Sequence, residues 1–150
     1  MALRVLQSWS LPLILLGLLL WYWTLAAYPR ASFWYQVNDI VVFDTPVGEE
    51  VVMDVERTIR RPFTARWSVL VRELSDENGW EIVCTAQGSG NYRPDAVLPN
   101  PTTLGWWTDG QCATLEPGYY MISTVWRIDV PTIGDRIAAH DTDVFRVFDP

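Results

Sequence analysis

The chain has 150 residues, a formal net charge of −7 and no lysine, and 49% of its residues are hydrophobic. Beyond Arg30 it carries nine arginines against eighteen acidic residues, a net charge of −9. An acidic domain repels nucleic-acid phosphates, so the composition argues against a nucleic-acid partner. About 120 residues after Arg30 are enough for one domain with its own core.

The first element is the uncharged segment Trp9–Tyr28. Twenty residues of helix span about 30 Å, the thickness of the hydrocarbon core of a bilayer. The segment is predicted to cross the lipid bilayer, with residues 1–8 as a cytoplasmic tail and residues 29–38 as a juxtamembrane linker. A short tail before a first hydrophobic segment usually stays in the cytoplasm. We therefore expect a single-pass protein of the cytoplasmic (inner) membrane, with its C-terminal domain outside the cytoplasm.

The alternative is a cleaved signal peptide. The apolar region of such a peptide has about 7–15 residues, and the run Leu11–Ala27 is longer. Thr24-Leu25-Ala26 offers only a poor cleavage site. No cysteine stands directly after the apolar run, at the position where a lipoprotein signal would carry one, which excludes a lipoprotein anchor. We favour a retained signal anchor, and cleavage would instead release a secreted protein.

Residues 39–150 show the period of two that is typical of half-buried strands, separated by turns rich in proline and glycine. No stretch outside residues 3–28 has a helical period. The fold class predicted is therefore all-β, an antiparallel sandwich of seven or eight strands. The expected strands are residues 39–44, 50–60, 63–74, 80–86, 112–115, 119–130 and 144–148, with residues 135–140 as a connection or edge.

Two cysteines, Cys84 and Cys112, flank a stretch without strand pattern, residues 87–111. An even cysteine count in an exported chain favours one disulfide, which would staple this long segment. Two buried free thiols are the alternative if the domain faces the cytoplasm.

The residues Leu115-Glu116-Pro117-Gly118-Tyr119-Tyr120 lead directly into the long strand 119–130. This arrangement resembles the corner before strand F of immunoglobulin-like and fibronectin-III-like domains, and Trp67 resembles their strand C tryptophan. The resemblance implies an immunoglobulin-like sandwich in which the side chain of Tyr120 bonds back to the corner backbone. The cysteines do not occupy the B and F positions of antibody domains. The layout is also similar to uncharacterised signal-anchored proteins of proteobacteria and their phages.

Two groups of residues are candidate binding surfaces. Adjacent tryptophans on a strand cannot both point inward, and exposed Trp, Tyr and Arg side chains are enriched at interfaces. The first group is Tyr92, Arg93, Trp106, Trp107 and Asp109. The simpler interpretation is that one tryptophan closes the open end of the sandwich and the other covers the disulfide. The second group is Arg57, Arg60, Arg61 and Arg66, whose simpler role is ordinary salt bridging with Asp54 and Glu56.

Catalytic chemistry is not visible in the sequence. The single histidine, His140, could contribute with Asp141 and Asp143 to a weak cation site, but zinc requires three or four ligands. No G-x-S-x-G or H-E-x-x-H motif is present. We therefore expect no enzyme activity, no catalytic residues, no metal and no cofactor.

The function predicted is a membrane-anchored extracytoplasmic binding protein without catalytic activity. Its partner would be a protein, or less favourably a glycan that stacks on tryptophan. One alternative is a structural subunit of a membrane assembly that uses the apolar helix as its interface. The other is a secreted glycan-binding protein or hydrolase.

Overall fold

In a computed structural model, the backbone is described for residues 2–27, 29–131 and 134–150, and the side chains of residues 2–10 and 25–27 are not described. The protein is mostly β-structure, preceded by one long helix. The elements are α1 (Ala2–Ala27), a 3₁₀ turn (Ala31–Phe33), β1 (Tyr35–Val42), β2 (Thr45–Pro46), β3 (Val52–Ile59), β4 (Phe63–Ser75), β5 (Gly79–Tyr92), β6 (Thr102–Thr103), α2 (Leu104–Trp107), β7 (Gly118–Ile128), β8 (Arg136–Asp141) and β9 (Phe145–Phe148).

The strands form two sheets that share one hydrophobic core. The smaller sheet has the order β1-β3-β6, and the larger sheet has the order β2-β9-β7-β4-β5. Strand β8 also pairs with β7, along residues 123–128 in the C-terminal half of that strand. All pairings are antiparallel except the short parallel contact of β2 with β9. The shared core makes the architecture sandwich-like, as the sequence predicted.

Strand β4 shows how alternating apolar and polar residues produce a sheet with one buried apolar face. Phe63, Ala65, Val69 and Val71 are buried, and Arg66 between them is exposed. Successive strand side chains point to opposite faces, so apolar residues at every second position place one face against the core. The strand confirms the predicted range 63–74 to within one residue.

The corner before β7 has the predicted hydrogen bond. The Tyr120 hydroxyl donates to the Glu116 carbonyl oxygen at 2.7 Å. Tyr120 is buried, and its ring packs against Phe145 of β9 with the ring centroids 5.8 Å apart. This contact ties the start of the central strand to the loop that precedes it.

Several predicted boundaries need correction. The expected strand at residues 112–115 does not form, because the segment there is held by the disulfide and by turns. Strand β5 continues to Tyr92 through residues 87–92, where glycines had obscured the strand pattern. A short helix, α2, lies where no helix was expected. Residues 135–140 were predicted as a connection or edge, and the edge alternative is confirmed: they belong largely to the edge strand β8, in which His140 pairs with Thr124.

The segment before β1 is attached to the domain. Strand β1 begins at Tyr35, which places the last residues of the predicted linker 29–38 in the smaller sheet. The Arg136 Nε atom donates to the Pro29 carbonyl oxygen at 2.9 Å. The Arg60 backbone N–H donates to the Trp34 carbonyl oxygen at 2.8 Å, and Trp34 packs against the core. Residues 29–34 are therefore part of the folded unit.

Helix α1 exposes its apolar side chains. Between Leu11 and Trp23, its large hydrophobic side chains are 52–71% exposed. The structure does not describe the side chains of residues 9–10 and 25–28 of the predicted membrane segment Trp9–Tyr28. Within the described residues, no helix combines the length and the apolar character needed to span a membrane.

Candidate functional site

A disulfide organises the segment between β5 and β7. Cys84 of β5 and Cys112 are bonded, with their Cα atoms 6.0 Å apart, as the cysteine pattern predicted. The bond anchors residues 93–117, here called the stapled segment, to the inner side of β5. This segment contains β6 and α2 and places two tryptophans beside the core.

Hydrogen bonds inside the stapled segment fix the position of α2. The Trp106 backbone N–H donates to Thr103 Oγ1 at 3.2 Å, which caps the helix. Thr108 is fully buried, and its hydroxyl donates to the Leu104 carbonyl oxygen at 2.7 Å. The same hydroxyl accepts a bond from the Cys112 N–H at 3.1 Å. Because these groups are satisfied internally, the segment can lie against an apolar core.

The two adjacent tryptophans have different environments. Trp106 is 54% exposed, and the half-buried Trp107 meets Trp126 edge-on with the ring centroids 6.0 Å apart. Trp106 and Trp107 themselves lie 6.3 Å apart in a T-shaped arrangement. As predicted, at least one of the pair is exposed. Trp107 packs against the core residue Trp126.

Small residues on β5 make room for these rings. Ala86, Gly88 and Gly90 occupy successive inward positions on this edge strand. Gly88 pairs with Trp67, and a Cβ atom at residue 88 would lie 2.5 Å from Cζ2 of the Trp67 ring. Since only glycine leaves this space, the Trp67 indole can lie directly over the β5 backbone.

These features enclose a pocket with aromatic walls and a cavity of about 180 Å³. Flat rings face it from β4, β5, β7 and α2, and one cation faces it from β3. The lining residues are Arg57, Trp67, Tyr92, Trp106, Trp107 and Trp126. We name this the aromatic pocket.

Three of the five predicted binding residues lie together in the aromatic pocket: Tyr92, Trp106 and Trp107. The other two do not line it. Arg93 forms a salt bridge with Asp95 at 3.5 Å, and both side chains are well exposed. Asp109 lies in the turn after α2 with a φ of 52°. The structure thus divides the predicted group into a pocket wall and two solvated neighbours.

Sequence reasoning missed Arg57, Trp67 and Trp126 as pocket residues. The signal for Arg57 was present, because it falls between Val55 and Ile59 on the inward-facing side of β3. An arginine on an apolar face is unusual, since long charged side chains are seldom buried without a partner. The sequence pattern indicated only that Trp67 and Trp126 belong to the hydrophobic core.

Burial perturbs the tyrosines at this site. Burial raises the pKa of Tyr92, and a hydrogen bond with Trp126 opposes that rise. Burial also raises the pKa of Tyr35, whose ring lies 5.8 Å from that of Tyr92, and the positive charge of Arg57 opposes it. Both phenols are therefore neutral at physiological pH, and Arg57 supplies the charge of the site.

The four arginines of the second predicted surface do not form one patch. Arg57 faces the aromatic pocket, and Arg66 pairs with Asp129 and Asp135 at 3.5 and 3.0 Å. The guanidinium carbon of Arg61 lies 3.9 Å from the centroid of the Phe33 ring. The expected salt bridges with Asp54 and Glu56 do not occur among the described residues.

The region of His140 contains a polar network. Asp141 accepts a hydrogen bond from Ser123 and lies 3.8 Å from the Arg72 guanidinium. In the part of the chain that the structure describes, no three His, Cys, Asp or Glu side chains form a cluster that could hold a metal ion. The aromatic pocket is therefore the best-formed candidate site.

No protein family model, curated protein or solved structure matches this chain.

Proposed function

We propose that this protein is a membrane-anchored binding protein, with an immunoglobulin-like domain outside the cytoplasm that uses the aromatic pocket to hold part of a protein partner. The observation that carries the proposal is the pocket itself. It combines four tryptophans, a tyrosine and an arginine, the residue types most enriched at interface hot spots.

The exposed apolar helix supports the membrane anchor. The described side chains of α1 cover residues 11–24, fewer than the roughly 20 that a membrane span needs, so the support comes from their exposure and not from helix length. Leu, Ile and Trp side chains are exposed throughout residues 11–23 of this helix. A helix that is hydrophobic all round is stable only when apolar material surrounds it, and a bilayer supplies that material.

The disulfide supports a location outside the cytoplasm. Disulfides persist in oxidising compartments and are rare in the reducing cytosol. Cys84 and Cys112 are bonded and fix the stapled segment that carries two walls of the pocket. The pocket would thus be assembled in the compartment where the bond is stable.

The strand order supports the immunoglobulin-like assignment. In such domains strands A, B and E form one sheet, strands G, F and C form the other, and a tyrosine corner precedes strand F. The order β1-β3-β6 opposite β9-β7-β4 corresponds to this arrangement, with Tyr120 at the corner. The loops of such a scaffold commonly carry binding residues.

The aromatic pocket supports binding through one half-open site. Trp106 offers exposed ring surface at its rim, whereas Trp107 and Trp126 are packed edge-on behind it. A rigid aromatic rim loses little side-chain entropy when a partner covers it. This arrangement favours recognition of a projecting side chain or chain end.

The binding role is tested with the full-length protein, tagged at its C-terminus and purified from solubilised membranes of the cells that make it. Proteins that co-purify are quantified for the wild type, for Trp106→Ala and for the control Trp80→Ala. Trp80 is also exposed but lies eight residues from Gly88 along β5. We expect a partner retained by the wild type and by Trp80→Ala to be reduced at least about tenfold by Trp106→Ala. Equal recovery with all three proteins contradicts the proposal.

The anchor and the compartment are tested separately. After an alkaline wash of the membranes, we expect a full-length chain whose two cysteines accept an alkylating label only after reduction. A shortened chain in the soluble fraction contradicts the anchor. A full-length chain labelled without reduction contradicts the location outside the cytoplasm.

A further inference from the structure

Arg57 is the only charged residue among the six described residues that line the aromatic pocket. It reaches this position because β3 places it on the same face as the buried Met53 and the half-buried Val55. The opposite face of β3 carries Asp54 and Glu56, which point away from the core. A cation has therefore been placed on the apolar side of the strand.

Arg57 has no acidic partner within the described residues. No salt bridge joins its guanidinium to an Asp or Glu side chain. Its guanidinium interacts with the Tyr35 phenol, and the guanidinium carbon lies 5.9 Å from the centroid of the Tyr92 ring. Partial burial removes water from the cation, and a ring face compensates only part of that loss. The site is consequently favourable for an added anion.

A second polar group, the hydroxyl of Tyr35, lies behind the pocket. Tyr35 is 1% exposed, and its hydroxyl has no hydrogen bond of good geometry to any described atom. Its ring packs against Trp126 and Tyr92, both of which line the pocket, at 5.0 and 5.8 Å. The charge of Arg57 acts directly on this phenol. A half-buried arginine whose neighbours are a phenol and a ring face, with no carboxylate partner among the described residues, is unusual in a folded core.

The cavity sets the size of the ligand. Its volume is about 180 Å³, and an apolar cavity of about 150 Å³ holds one benzene molecule. One six-membered ring with a small polar substituent therefore fits within it. The walls present ring edges and faces, the arrangement that favours offset or edge-on contact with another flat ring.

We propose that the aromatic pocket binds a single flat ring that carries a carboxylate, with the carboxylate on Arg57 and the ring among the tryptophans. Guanidinium binds carboxylate in a two-point geometry that ammonium cannot reproduce. The C-terminal aromatic residue of a partner chain has this chemistry, and so does a free aromatic acid. This proposal rests on the proposed binding function and specifies the group that the pocket selects.

The test uses the full chain in detergent micelles at physiological salt, with its nine tryptophans labelled as 5-fluorotryptophan. Fluorine NMR then follows the pocket tryptophans, assigned from single Trp→Phe variants. The probes are phenylacetate, the neutral phenylacetamide and the cationic phenethylamine, which share one ring and differ in charge. N-acetyl-alanyl-phenylalanine, as the free acid and as the amide, represents a chain end.

We expect phenylacetate to shift the resonances of Trp106 and Trp107 saturably, and to bind at least about tenfold more tightly than phenylacetamide. Arg57→Gln should reduce phenylacetate binding to the level of the amide, and Arg57→Lys should restore it only in part. The control Arg60→Gln, which removes an exposed arginine of the same strand end, should leave binding unchanged. Tighter binding of the dipeptide acid than of phenylacetate identifies a chain end as the source, and the reverse identifies a free acid.

Two results overturn the proposal. If the amide or the amine binds as tightly as phenylacetate, or if Arg57→Gln binds phenylacetate like the wild type, the carboxylate assignment is wrong and the pocket remains a binding site. If no probe shifts any pocket tryptophan, the pocket does not bind rings and this proposal is wrong, whereas the co-purification test with Trp106→Ala decides separately whether the pocket holds a protein partner.

Discussion

Strands β4 and β7 pair over nine residues, from Ala65 with Ile128 to Glu73 with Tyr120, whereas the stapled segment has only β6 and α2 as regular structure. The paired strands are stabilised by a repeated pattern of inward side chains. The stapled segment is stabilised by one disulfide, two buried threonines, the buried Leu104 and a few rings.

The paired strands and the stapled segment form different walls of the aromatic pocket. The paired strands supply a rigid wall that includes Trp67 and Trp126, and the stapled segment supplies Trp106 and Trp107 on the opposite side. Segments with few buried contacts are the ones that open locally. We therefore expect any adjustment of the pocket to a ligand to occur on the side of the stapled segment.

The largest effect is expected at Trp126, where the two regions meet. It is 1% exposed and contacts Trp107 of the stapled segment and Tyr35 of β1. Trp126→Ala should lower the free energy of unfolding by about 3–5 kcal/mol, because it leaves a large cavity. Urea unfolding in detergent, followed by near-UV circular dichroism, measures this. The exposed Trp106→Ala is the control, with about 0.5 kcal/mol or less expected. Equal losses would contradict the contrast between the two tryptophans.

Removal of the disulfide should affect mainly the stapled segment. Cys84 and Cys112 are separated by 28 residues, so Cys84→Ser with Cys112→Ser should cost about 3–4 kcal/mol in the chain-entropy description. Hydrogen exchange should show faster exchange at residues 104–112 and retained protection in β4 and β7. Uniform loss of protection would mean that the two regions form one cooperative unit.

Gly88 is expected to matter more than its neighbour on the same face. Gly88→Ala should destabilise by about 1–3 kcal/mol, because the new Cβ atom overlaps the Trp67 ring. Gly90→Ala is the matched control, since its Cβ would meet the Tyr92 ring at an ordinary 3.5 Å. It should be neutral or slightly stabilising. The same urea titration compares the two, and a larger effect at Gly90 would contradict the close ring approach.

The smallest effect is expected at the corner of β7. Tyr120→Phe removes the hydrogen bond to Glu116 and should cost about 0.5–1.5 kcal/mol. Burial, together with the charges of Glu73 and Glu116, raises the pKa of Tyr120 from 10.0 to about 12. The unfolded state therefore ionises first, so the contribution of Tyr120 is full below pH 10 and is lost as the pH rises from 10 to 12. Unfolding titrations across this range should show a shallower decline for Tyr120→Phe, and identical slopes would contradict the assignment.

The paired strands were the part of the fold that sequence reasoning predicted well. The alternation in Phe63–Val71 identified the buried face of β4, and the residues before Tyr120 identified the corner. Prediction failed at β5, where Gly88 and Gly90 interrupt the pattern of large side chains. It also failed at α2, because four residues are too few for a helical period to be recognised.

The candidate site was also predicted only in part, because local sequence pattern identifies residue types but not which distant residues meet. Tyr92, Arg93, Trp106 and Trp107 were identified from residue type, and Asp109 was included as a neighbour in sequence; of these, Arg93 and Asp109 do not line the pocket. Arg57 and Trp67 come from strands that are distant in sequence, and their approach depends on strand pairing and on the space over Gly88. Local pattern marked Arg57 as inward-facing and Trp67 as a core tryptophan, but it contains no information about their meeting in one pocket.

The sequence by itself determined the apolar N-terminal segment, the β-rich domain and the cysteine pair, because composition and short-range periodicity carry those signals. Only the tertiary structure decided that the N-terminal linker packs on the domain, that β5 extends to Tyr92, and that Arg57 faces four tryptophans without an acidic partner among the described residues. Such features arise from contacts between residues far apart in the chain, and their geometry is set by how the two sheets pack.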